Sequence, residues 1–176
     1  MVKKIIFLVF AIGLISCNQR KEAEANTKLL YFDIKGFFKN EINRLQRLKP
    51  SVDKTVSING SIENKKIVIQ DWNKELAIFL NADINKTSWK GSFTTYRKNE
   101  SAIYKSASKK IPVKKISVVK ENSIIKKIEI LIAYKNILYQ SNDTLIYYPD
   151  SLYEIKKEQD IRFLKKKKFV IVGKLK

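Results

Sequence analysis

The chain of 176 residues carries 36 Lys and Arg against 17 Asp and Glu, a formal charge of +19, with no histidine and one cysteine. The missing histidine excludes His-bearing metal sites, Ser-His and Cys-His nucleophilic machinery, and an imidazole general base. A single thiol excludes an internal disulfide framework, so a domain of this length must rest on packing.

Lys3 and Lys4 open the chain, an apolar run covers residues 5–15, and small Ser16 precedes Cys17. The run is shorter than the roughly 18 residues a spanning helix needs, which predicts an export signal rather than a transmembrane helix. Its ending, Leu14-Ile15-Ser16-Cys17, resembles the lipobox of bacterial lipoproteins of the Gram-negative envelope type. That resemblance implies cleavage before Cys17, diacylation of its sulfur, and a new amino terminus open to acylation. The protein would then be held without a spanning segment, each buried methylene contributing ~0.8 kcal/mol. The alternatives are an ordinary thiol near a secretory cleavage site and a short buried segment. On the lipoprotein reading, residues 1–16 are the signal peptide, 17–27 are the lipidated cysteine with a polar tether, and 28–176 are one domain. An Asp after the cysteine favours inner-membrane retention in such lipoproteins; Asn18 stands here, which implies the outer membrane, on either face.

From Leu30 the spacing of Leu30, Ile34, Phe37, Phe38, Ile42, Leu45 and Leu48 predicts an amphipathic helix that Pro50 ends. Its apolar stripe is assigned to the core, with a membrane-surface helix as the alternative. Asn59-Gly60 between Thr55-Val56-Ser57-Ile58 and Ser61-Ile62 predicts a hairpin, with residues 66–70 continuing the second strand or starting a third. Asp71 stands as the cap of a second helix over 72–82, carrying Trp72, Leu76, Phe79 and Leu80 on one stripe. After Trp89 the period becomes two, predicting strands over 92–97, 102–106, 115–120, 125–134, 137–141, 144–148, 153–157 and 169–172. Turn signals separate most of them, among them Lys135-Asn136, Asn142-Asp143 and Pro149-Asp150. Ser151 to Glu154 also fits a helix capping box, but the alternation of Tyr153 with Ile155 favours strand. The expected fold is therefore α+β: one long N-terminal amphipathic helix and a second, shorter helix packed on a curved antiparallel sheet, a half-barrel-like meander. In element order this looks like the half-barrel proteins that carry and receive lipoproteins on the way to the outer membrane. Other helix-on-sheet folds share the outline.

Chemistry-bearing patterns are sparse. The Ser-x-x-Lys spacing of serine acylating enzymes occurs at Ser51/Lys54, Ser106/Lys109, Ser117/Lys120 and Ser123/Lys126, as expected by chance in so Lys-rich a chain, and without the companion motifs. Asp71, Glu75 and Asp83 are the densest acids, and a cap and the helix dipole account for the first two. Tyr147-Tyr148 and the lysine pairs at 109–110 and 114–115 invite a stacking platform, but alternation assigns the aromatics to the core. No catalytic, cofactor or metal site is assigned. Lys165, Lys166, Lys167 and Lys168 are the candidate contact with an anionic membrane, at ~1 kcal/mol per Lys near the surface; compositional bias is the competing account of the basic charge. The expected partners are the membrane, through the acyl chains on Cys17, and anionic lipid headgroups or envelope proteins, with nucleic acid not expected. The leading expectation is a non-enzymatic binding or assembly module, then a lipid or lipoprotein carrier with an apolar groove, and last a hydrolase.

Overall fold

A computed structural model describes residues 29–176; the leader, Cys17 and the whole tether lie outside the described residues. Nine strands, β1 (Ser51–Ile58), β2 (Ser61–Val68), β3 (Thr94–Lys98), β4 (Ser101–Lys105), β5 (Val113–Glu121), β6 (Ile124–Lys135), β7 (Tyr139–Tyr148), β8 (Leu152–Ile161) and β9 (Lys167–Leu175), form one sheet. Every pairing is antiparallel, in the order β2-β1-β9-β8-β7-β6-β5-β4-β3. The final strand thus closes onto the first hairpin, Val52 facing Leu175, and ties the two ends of the domain together.

The expected α+β arrangement is overturned. The domain is essentially this sheet, and its α-helices are α1 (Ile34–Leu48, 15 residues) and two single turns, α2 (Trp72–Glu75) and α3 (Ala77–Leu80). The local reasons are visible. The stripe from Leu30 does not open a long helix because Asp33 takes the cap, its carboxylate accepting from the Gly36 amide at 2.8 Å, so Leu30 stays outside. The second helix is interrupted at Leu76, whose φ of −99° and ψ of 10° end one turn before the next begins. In place of the expected helix-backed half-barrel meander stands one large sheet whose edges, β2 and β3, are open, with most of their residues exposed.

Turn chemistry accounts for the hairpins. Asn59 and Gly60 both take positive φ, 52° and 93°, as a two-residue hairpin turn requires, and Asn99, Asn122 and Asp150 take the same region at later turns. One strand departs from its expected pattern: Asn142-Asp143, a turn signal in the sequence, lies inside β7, which runs unbroken from Tyr139 to Tyr148.

The core lies between the helical segments and one face of the sheet. Ile34, Phe38, Ile42 and Leu45 form the buried stripe of α1, and Trp72, Leu76 and Phe79 add the next layer. Against them stands a row of the sheet, Ile116, Ile130, Leu145 and Ile155 in register across β5 to β8. A second row runs Ile128, Tyr147, Tyr153, Gly173. Gly173 has no side chain because the Tyr153 ring occupies its place: a Cβ there would lie 2.2 Å from that ring. Trp72 is fully buried and its indole N–H has no partner, a cost of ~1–3 kcal/mol that its packing offsets.

Two phenols bolt the helices to this row. The Tyr147 hydroxyl donates to Glu41 of α1 at 2.6 Å, and Arg44 donates to the same carboxylate at 2.8–2.9 Å. Tyr153 donates to Glu75 of α2 at 2.5 Å, and Lys54 of β1 lies 2.7 Å from that carboxylate. Burial and the adjacent carboxylates push both phenols upward, so they remain donors. Burial alone would raise the Glu41 carboxyl, but the bonds from Arg44 and Tyr147 outweigh it and hold the group below the usual carboxylate range. A carboxyl depressed in the folded state stabilises above its unfolded pKa, about 4.3, and that stability is lost as pH falls through the folded value. Glu41→Gln is therefore expected to lose about 1.5–3 kcal/mol at neutral pH, with the gap to wild type narrowing once pH falls below ~4. Urea unfolding at stepped pH measures this, and a gap independent of pH contradicts the assignment.

Candidate functional site

The helical segments cover only part of the sheet's inner face. Beyond α3 the face continues through Ile132, Asp143 and Lys157, which sit opposite one another on β6, β7 and β8. Strand alternation puts Ser141, Asp143, Leu145 and Tyr147 on one side of β7, so Asp143 faces the same interior as the core two residues away. A cleft of about 340 Å³ opens there, with Ile78 and Asn81 of the α3 region on one wall and Trp89, Pro112 and Tyr134 on the others. Its floor holds Asp143, 3% exposed, and Lys157.

The floor is charge-balanced. The fully buried Ser141 hydroxyl donates to the Asp143 carboxylate through a short hydrogen bond, and the Lys157 ammonium lies 3.5 Å from its other oxygen. A buried carboxylate held on both oxygens is an anchored acceptor that fixes Lys157, not a free base. At the mouth, the Lys86 ammonium sits 4.2 Å from the centroid of the Trp89 ring. The arrangement offers a flat aromatic wall, an ordered ammonium and a side-chain amide. Those are groups for recognising a polar ligand or a partner's side chain, in a space at the small end of ligand pockets.

The sequence-level candidates are scattered. Cys17 lies outside the described residues. Lys165 and Lys166 fall in the β8–β9 turn, while Lys167 and Lys168 begin β9. Lys166 pairs with Asp160 at 3.0 Å and Lys168 with Glu158 at 2.9 Å; among the described residues no ion pair engages Lys165 or Lys167. Asp71 caps α2 by accepting from Lys74 N, Glu75 holds Tyr153 and Lys54, and Asp83 accepts from Asn85 N, so the three acids do not converge. Lys54 reaches Glu75 rather than Ser51, the Ser123 amide and hydroxyl turn to Glu100, and Ser106 accepts from Ser108 N. Tyr147, one of the platform aromatics, is a core residue. Asp143 escapes a reading by turn propensity; the alternation Ser141, Asp143, Leu145, Tyr147 is the signal that could have found it.

No protein-family model matches this chain, and the searches of curated proteins and of solved structures found none similar to it.

Removing one member of the Ser141–Asp143 pair strands the other in the interior. Asp143→Ala and Ser141→Ala are each expected to cost about 1–3 kcal/mol, and the double variant less than their sum. Denaturant unfolding of the four proteins yields the coupling energy; strict additivity contradicts the pairing.

Proposed function

We propose that this protein is a lipid-anchored lipoprotein of the bacterial envelope whose single domain is a non-enzymatic binding module. The observation that carries the anchoring is the ordered sequence of a basic start, an apolar run too short to span, and Ser16-Cys17, followed by a short polar segment before the domain. Outer-membrane attachment follows from Asn18 in place of the retaining Asp.

The cleft supports binding over chemistry. Its carboxylate is already committed to Ser141 and Lys157, leaving Lys157, Asn81 and the faces of Trp89 and Tyr134 to meet a ligand. The carrier alternative needs an unfilled apolar groove between helix and sheet. That space is occupied by Phe38, Trp72, Phe79, Tyr147 and Tyr153, with Phe38 and Tyr147 rings 5.2 Å apart in edge contact. The domain therefore presents its binding groups at the uncovered end of the sheet.

Anchoring is tested with an alkyne fatty acid fed to cells that express the full chain. Wild type is expected to take up the label and lose residues 1–16, whereas Cys17→Ser is expected to lose the label and accumulate uncut precursor. A labelled Cys17→Ser protein, or an unlabelled wild type, contradicts the reading.

A further inference from the structure

The uncovered end of the sheet terminates in two adjacent hairpin tips of unusual composition. The β6–β7 turn exposes Ile137 and Leu138 at 85% and 60%, and the β8–β9 turn exposes Phe163 and Leu164 at 89% and 61%. The two are one structure: Tyr139 pairs with Ile161 at the ends of β7 and β8, and the Arg162 amide donates to the Leu138 carbonyl at 2.9 Å. Paired backbone thus carries four large, exposed apolar side chains at one end of the sheet, where an isolated exposed apolar residue would need no explanation.

The turn conformation sharpens the point. At the other hairpin turns the positive φ falls on Asn59 with Gly60, Asn99, Asn122 with Ser123, and Asp150, all small or polar residues. At the β8–β9 turn it falls on Phe163, φ 68°, a bulky side chain in a region that disfavours it. A Gly or Asn would close this turn more easily, so the ring is retained at a conformational cost while pointing into solvent. Such outliers motivate a functional hypothesis.

The charge around the patch is basic. Lys135 leaves one tip, and Arg162, its guanidinium 5.0 Å from the Phe163 ring, with Lys165 and Lys167 borders the other. The acids nearby, Asp160 and Glu158, are paired with Lys166 and Lys168. An apolar point ringed by cations is complementary to a surface that is anionic outside and hydrocarbon within.

We propose that these paired tips are a membrane-docking wedge: Ile137, Leu138, Phe163 and Leu164 enter the interface of an anionic phospholipid surface, and the flanking Arg162, Lys165 and Lys167 contact its phosphates. The wedge would set the orientation of a domain whose acyl anchor only tethers it. That the membrane is close at hand rests on the lipid anchoring proposed above, and the test reads the two separately.

Full-length protein carrying Ile137→Cys or Phe163→Cys, with Ile62→Cys on edge strand β2 as control, is labelled with an environment-sensitive fluorophore and reconstituted into vesicles containing nitroxide-labelled lipid. Labelling of the wild-type chain itself would reveal a free Cys17 and so reports on anchoring alone. The expected result is blue-shifted emission and several-fold stronger lipid quenching at 137 and 163 than at 62 in phosphatidylglycerol-containing vesicles. Both effects should weaken in phosphatidylcholine alone and in a Lys165→Glu/Lys167→Glu background. Equal quenching at all three positions, or none, overturns the proposal. A blue shift without lipid quenching overturns it in favour of a protein contact.

Discussion

Two phenol hydroxyls on neighbouring central strands hold the helical segments against the sheet, and the placement of everything else follows from them. Tyr147 and Tyr153 face each other across β7 and β8, and each is fully buried with its oxygen bound to a carboxylate from the opposite layer. Each carboxylate is in turn matched by a cation, Arg44 for Glu41 and Lys54 for Glu75. Removing either carboxylate leaves a buried phenol hydroxyl unmatched, and such networks fix a unique arrangement once every member is satisfied. The missing side chain at Gly173 belongs to the same constraint, because it is the space into which Tyr153 lies.

That attachment point lies toward one end of the strands, and the division of labour along the sheet is its consequence. Arg44 also reaches Asp150 at the β7–β8 turn, 2.6 Å away, so α1 is drawn to the end where those strands join. The opposite end is left with two features that a core would not tolerate: the cleft floored by Asp143 and Lys157, and beyond it the apolar tips. Packing and exposure are thus segregated on one sheet. The covered end supplies stability, and the bare end carries the surfaces through which the proposed lipoprotein meets its surroundings.

Much of the strand content was legible in the sequence. The alternation of β6, β8 and the Asn59-Gly60 hairpin follows from side-chain period and turn chemistry acting within a few residues. The architecture was not. A helical stripe from Leu30 and another from Trp72 suggested a layer of helices, but a single cap at Asp33 and a break at Leu76 cut them to one helix and two turns, and local periodicity does not weigh such competition. Asn142-Asp143 illustrates the converse error. Two residues that favour turns lie in mid-strand because Asp143 finds partners in the interior: Ser141 two residues back on its own strand, and Lys157 opposite it on β8, remote in sequence and brought there only by strand pairing. The candidate site was hidden for that reason. The lysine run was visible, while its apolar neighbours at 137–138 became significant only when hairpin pairing brought them beside Phe163.

On the proposed docking mode, the bare end of the sheet meets a membrane while the packed end stays folded. Hydrogen–deuterium exchange of the full-length protein, compared in detergent micelles and on anionic vesicles, distinguishes the two ends. The account predicts new protection confined to residues 136–139 and 161–165, with the amides of β7 and β8 beneath Tyr147 and Tyr153 slow in both settings. Protection on the β2 edge with the tips unchanged would contradict it, as would fast exchange in the two central strands.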